Sequence, residues 1–255
     1  MQNIDIAYIL QPVIVVAIAL FLVFYSHRKH RLTFNVLAYS FLAYSIAIFA
    51  KSIFQALTYS FVLSYNNLFL LGLYFGMQTV LLEVGLAYLF AKHAVGKGFM
   101  NANNAGAYGI GLAFWENGVL LGILPLISVI ATYVLLSTGG STASLVYNSI
   151  STANPGLFNQ VNVALPTILF GILERVSSII MHYSWGLLCV VAAVYKKRRY
   201  LFIALPMGLV DFLVPFSSSM PLYIFESLVF LIAVISLAAA RLSTRNLKTI
   251  TIATS

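Results

Sequence analysis

Charge is scarce in this sequence, and acidic charge is the scarcest. Asp and Glu together number six among 255 residues, against 14 Lys and Arg, and charged residues of both signs make up only 8%. A soluble domain carries about a quarter charged residues, so an ordinary water-exposed surface is excluded. The single cysteine, Cys189, excludes an intramolecular disulfide framework. The opening MQNIDIAYIL lacks the basic region of a secretory signal, so the first apolar segment is expected to be a retained helix. Three stretches expected as loops, 58–67, 137–160 and 215–220, hold no Asp, Glu, Lys or Arg at all. Neither an internal repeat nor a boundary to a second domain stands out. One helical domain over 1–255 is expected, ending in a short basic tail over 241–255.

Long apolar runs are abundant: 61% of the residues are hydrophobic. At roughly 20 residues per crossing, seven spans are expected, over about 4–26, 33–57, 68–90, 105–136, 161–195, 200–214 and 221–240. The fold class is therefore all-α and polytopic. Basic residues sit at four places: Arg28, Lys29 and Arg31; Lys92 and Lys97; Lys196 to Arg199; and Arg241, Arg245 and Lys248. These places alternate with the three charge-free stretches. Because cytoplasmic loops are enriched in Lys and Arg, the N-terminus is expected outside and the C-terminus inside. The excess of +8 then belongs to a cytoplasmic rim facing an anionic inner leaflet, not to a nucleic-acid interface. A multi-pass protein of the plasma membrane is expected. Pro125, Pro166 and Pro206 are expected to kink their helices. Gly118 and Gly122 are spaced to let two helices approach closely.

Polar residues inside such spans carry the functional signal, since lipid makes them costly. The fifth span holds Glu174, Arg175, Ser178 and His182. Helical spacing of three, four and seven residues puts them on one broad face. Counting about 1.5 Å per residue from the basic end sets depths. Glu116, His182 and Asp211 share a middle level at roughly 16–19 Å, and Lys51, Glu174 and Arg175 an outer one at roughly 27–31 Å. Glu83 is expected near 10 Å from the basic end. The outer set reads as a mutually neutralising cluster. Two carboxylates and an imidazole at one depth suit a divalent metal such as zinc held by His182, Glu116 and Asp211, or a water positioned for proton transfer. A hydrogen-bonded network that only fixes helix register has the same residues. His27, His30 and His93 lie beside basic loops and are expected at the surface.

The run GILERVSSIIMHYSWGLLCVVAAVY, followed by a basic loop and LFIALPMGLVDFLVP, resembles the second half of the YhfC family. These are intramembrane metallopeptidases distantly related to the CAAX-protease and bacteriocin-processing superfamily. The resemblance implies peptidase chemistry by Glu116, Glu174, His182 and Asp211, supported by Arg175, Ser178, Lys51 and Glu83. It also implies departures. Leu86 stands where the family has an arginine after its paired glutamates, of which Glu83 remains. Leu112 and Met207 stand where the family has histidines. A catalytic zinc usually has three protein ligands, often with two or more imidazoles, so a weakened or lost activity is expected. Two other readings stay open. One is a non-catalytic scaffold or a subunit of a larger membrane complex; the other is a proton-coupled transporter. A membrane-anchored protein substrate or partner subunits would accompany the first two. A retinal protein is excluded, because the last span, PLYIFESLVFLIAVISLAAA, has no lysine.

Overall fold

A computed structural model describes residues 3–153, 155–159, 161–245 and 247. Lys248 and most of the expected tail lie outside the described residues. The chain is almost entirely helical: α1 (Ile6–Lys29), α2 (Phe34–Leu63), α3 (Leu68–Gly96), α4 (Ala102–Thr138), α5 (Gly140–Ala153), α6 (Val161–Tyr195), α7 (Arg198–Phe216) and α8 (Leu222–Thr244). All except α5 are long and apolar enough to cross a bilayer, so seven candidate spans stand among the described residues. Polar side chains start the helices where the chain turns. Thr33 accepts from the Val36 amide, Asn67 from Phe69 and Leu70, and Asn101 from Asn103. Each satisfies amides that the first helical turn leaves free.

The α6 helix is the axis of the bundle. Of its most apolar window 72% is buried, against at most 33% for any other span. It packs against α4 and α8 most extensively, then against α3, α7 and α1. Where α6 is enclosed on all sides it is apolar all round, and the run Leu188 to Ala192 is apolar and buried. Two glycines set its closest approach. A Cβ on Gly186 would lie 2.5 Å from the Gly109 Cα, so α4 and α6 touch backbone to backbone. Gly118 and Gly122 serve the expected close packing, with α1 at Ala19 and Val16.

One sequence expectation needs correction. The stretch 137–160 is not a loop. It contains α5 and a 3-10 turn, Pro155–Phe158. Ala143, Val146, Tyr147 and Ile150 turn inward at helical spacing, and the Tyr8 hydroxyl donates to the Gly156 carbonyl at 2.7 Å. The prolines also act differently from one another. Pro166 lies within α6, which runs on through it. Pro125 follows a π-helical stretch, Phe114–Ile123, and Pro206 opens a 3-10 stretch, Leu205–Phe216. A proline lacks an amide and crowds the carbonyl four residues back; at Pro125 and Pro206 a change of helical pitch adjoins the ring.

Candidate functional site: a carboxylate and imidazole centre in an intramembrane cavity

The polar face of α6 points into the bundle, and four other helices meet it there. The α2 helix brings Lys51, α3 brings Thr79 and Glu83, α4 brings Glu116 and α7 brings Asp211. Each carboxylate from outside α6 lies on an irregular helix. Glu83 is in a π-helical segment, Thr79–Val84; Glu116 is in the π-helical Phe114–Ile123; Asp211 is in the 3-10 stretch. Short π segments inside α-helices are frequent at functional sites, because the extra residue re-aims a side chain.

His182 is the centre of the arrangement. Its Nδ1 lies 3.0 Å from the Ser178 carbonyl oxygen, an acceptor only, so Nδ1 carries the proton and donates. Its Nε2 is 2.8 Å from Glu116 Oε2 and 3.6 Å from Glu83 Oε2. Glu83 is beyond hydrogen-bond distance and Glu116, though near, is out of line with a ring N–H, so the buried Nε2 has no hydrogen-bond partner. A bare nitrogen lone pair facing two carboxylates is repulsive unless a cation lies between them, a proton or a metal ion. Ser178 Oγ donates to Glu116 Oε2 at 3.2 Å and accepts from Asn117 Nδ2 at 3.1 Å, which holds Glu116 in place. Trp185 packs on the imidazole at 4.3 Å between ring centroids, and Tyr44 meets it edge-on at 6.1 Å.

A second cluster adjoins the first through Glu83. Lys51 Nζ donates to Glu83 Oε1 at 2.5 Å, to Thr79 Oγ1 at 2.7 Å and to Asp211 Oδ2 at 3.1 Å. Thr79 in turn donates to Asp211 Oδ2. Arg175 pairs with its neighbour Glu174. Both clusters line one cavity of about 300 Å³, room for several waters. Its walls hold two cations, Lys51 and Arg175, against four carboxylates, Glu83, Glu116, Glu174 and Asp211. With a neutral imidazole the net charge is −2, and a divalent cation would bring it to zero.

The donor set fits such an ion. Glu83, Glu116 and His182 each offer one ligand atom, all within 4.8 Å of one another. Tetrahedral donors at about 2.1 Å from a metal stand about 3.4 Å apart, between the two separations measured at Nε2. The backbone hydrogen bond on Nδ1 is the partner that a metal-ligating histidine ordinarily has. The donor atoms that lie together are those of Glu83, Glu116 and His182; Asp211, the third ligand read from the sequence, is not among them.

The exchange has a geometrical cause. The α3 helix runs to Gly96, beyond the expected end at residue 90, which sets Glu83 13 residues from its basic end. His182 is likewise 13 residues from Tyr195, so the two are level. Asp211 rises instead: seven residues of 3-10 helix climb roughly 0.5 Å more each than α-helix, about 3.5 Å in all. It thereby reaches Lys51, which is held by Asp211 and Glu83 rather than joining the expected cluster with Glu174 and Arg175. Thr79, Tyr44 and Asn117 were not legible as site residues, although Thr79 stands one turn from Glu83. Glu226 on α8 is buried, with Oε2 unpartnered among the described residues. Leu112 and Met207, where the resemblance expects histidines, are part of the buried apolar core.

Fold and site together define a polytopic helical membrane protein built around a buried carboxylate and imidazole centre suited to a divalent cation. The family model of the YhfC intramembrane metalloproteases matches residues 13–236, and the chain belongs to that family. No match was found among curated proteins or among solved structures.

Proposed function

We propose that this protein is an intramembrane metallopeptidase that hydrolyses membrane-anchored polypeptides, with Glu83, Glu116 and His182 holding the metal. The observation that carries the reading is the His182 Nε2, buried, without a hydrogen bond, and 2.8 and 3.6 Å from two carboxylates in a cavity whose net charge is −2 when the imidazole is neutral. A divalent ion held there would supply Lewis-acid chemistry toward a peptide carbonyl. Asp211, on the cavity wall and oriented by Lys51 and Thr79, accepts the proton of the water that attacks the carbonyl carbon and returns it to the amine nitrogen as the C–N bond breaks. Ser178 and Asn117 hold Glu116. Arg175 keeps Glu174 in place at the outer level, where the substrate backbone arrives. One imidazole with two carboxylates is a harder donor set than the usual zinc site, so metal binding is weak and the activity modest. As a single domain in the plasma membrane, the chain has its N-terminus outside and its basic loops against the anionic inner leaflet.

The test uses Trp185 as the reporter. In a Trp115→Phe background, Co²⁺ titrated into the purified protein quenches Trp185 fluorescence, and His182→Ala or Glu83→Gln abolishes the quenching. Proteolysis of a membrane-anchored reporter is lost in Glu116→Gln. Absence of quenching at millimolar Co²⁺ in the parent background refutes the reading.

One observation favours a second reading. Lys51 already places a cation between Glu83 and Asp211. If Lys51 and a proton on His182 satisfy the carboxylates without metal, the protein is a non-catalytic scaffold or a subunit of a membrane complex. Folding and complex formation that are indifferent to Glu116→Gln, with no metal in the purified protein, would favour it.

A further inference from the structure

The cavity has a direction. On α6, toward the basic loop at Tyr195, Trp185 is 2% exposed and His182 4%; toward the other end Glu174 is 43% exposed. On α7, which runs the opposite way, Met207 is 6% exposed, Asp211 31% and Val214 46%. The α4 helix repeats the trend, from buried Leu112 through Glu116 to exposed Leu120. Three helices from different parts of the chain thus open toward the same end, the end of the charge-free loops. Toward the basic loops the way is blocked. Leu188, Cys189 and Val190 of α6 pack with Tyr108 of α4 and with Val84, Ala87 and Ala91 of α3, all fully buried. From Trp185 to Tyr195 this plug is about 15 Å deep.

The lining is of two kinds. Leu120 and Leu121 of α4, Val210 and Val214 of α7, and Phe225 and Val229 of α8 form an apolar wall. Leu120 and Val214 continue onto the lipid-facing surface. Lys51, Glu174 and Arg175 line the same cavity. A lining that is part lipid-like and part polar suits an apolar polypeptide segment whose backbone needs hydrogen-bond partners once it leaves its own helix.

We propose that the cavity is entered from the face opposite the basic loops, and that its substrate is an apolar, membrane-anchored polypeptide segment cut in that half of the bilayer. The identity of the substrate rests on the peptidase reading; the side of entry does not. With basic loops inside, entry is from the extracytoplasmic face.

Single-cysteine labelling with a membrane-impermeant, cationic methanethiosulfonate tests it. Cys189 is buried in the plug, so the parent protein stays unlabelled. Asn66→Cys marks the charge-free side and Lys97→Cys the basic side. Val214→Cys and Leu120→Cys, in intact cells and in inverted vesicles, are expected to react at least tenfold faster from the side that labels Asn66→Cys. Reaction from the Lys97→Cys side overturns the proposal. So does reaction from neither side in variants that elute as the parent does. Labelling requires no proteolysis, so loss of the peptidase reading leaves this result standing, and the converse holds as well.

Discussion

Lys51→Met removes the one cation that, among the described residues, is bonded to both Glu83 and Asp211. The ammonium makes three hydrogen bonds, at 2.5, 2.7 and 3.1 Å, and is itself largely buried. Removing one partner of a buried ion pair leaves the other charge uncompensated, at a cost of about 3–5 kcal/mol. Asp211 is partly exposed to the cavity and can turn to water, which favours the lower end, about 3 kcal/mol. For a chain of this size, about 2–4 °C per kcal/mol applies, so Tm falls by on the order of 10 °C. A temperature scan of detergent-solubilised protein, read by size-exclusion chromatography, measures it. The mechanism also demands coupling. Lys51→Met with Asp211→Asn loses less than the sum of the single losses, by about 1–2 kcal/mol, since the second change removes a stranded charge. With Lys51 gone the cavity carries −3, so millimolar Mn²⁺ raises the Tm of Lys51→Met more than that of the parent. A single variant within about 2 °C of the parent, or strictly additive losses, would refute the assignment of Lys51.

Three further outcomes follow from the same geometry. Ser178→Ala strips Glu116 and Asn117 of a shared partner; it lowers Co²⁺ affinity about 10–100-fold, as read by Trp185 quenching, with a stability loss of about 1 kcal/mol. Gly186→Ala drives a methyl to 2.5 Å from the Gly109 Cα and costs about 1–3 kcal/mol, seen as a lower Tm and poorer yield, whereas Gly96→Ala, with open space around it, leaves Tm unchanged. Prolonged dialysis against a chelator lowers the Tm of the parent but not of Glu83→Gln/His182→Ala, whose metal set is already broken.

The helices were legible because lipid leaves little choice: apolar runs of the right length and alternating basic loops give seven spans with small errors at their ends. The polar face of α6 was equally legible, since Glu174, Arg175, Ser178 and His182 keep helical spacing within one element. Pairings between elements were less so. Depth counted at a constant rise ranked Asp211 with His182 and set Glu83 apart. That count assumes an unbroken α-helix, and α3, α4 and α7 each depart from it near the site. The stretch 137–160 was masked by composition: its Ser and Thr suggested a loop, while Ala143, Val146 and Ile150 already carried a helical period.

The π-helical turns at Thr79–Val84 and Phe114–Ile123 make the site sensitive to the length of the chain as well as to its chemistry. Each holds a surplus residue that lets the two halves of one helix face different neighbours. Deleting one residue from either turn would relax it to α-helix and swing everything beyond by about 100°. Glu83 or Glu116 would leave His182 although every residue of the centre remained in the gene. A single in-frame codon loss can therefore convert a complete centre into a mute one with its hydropathy profile intact.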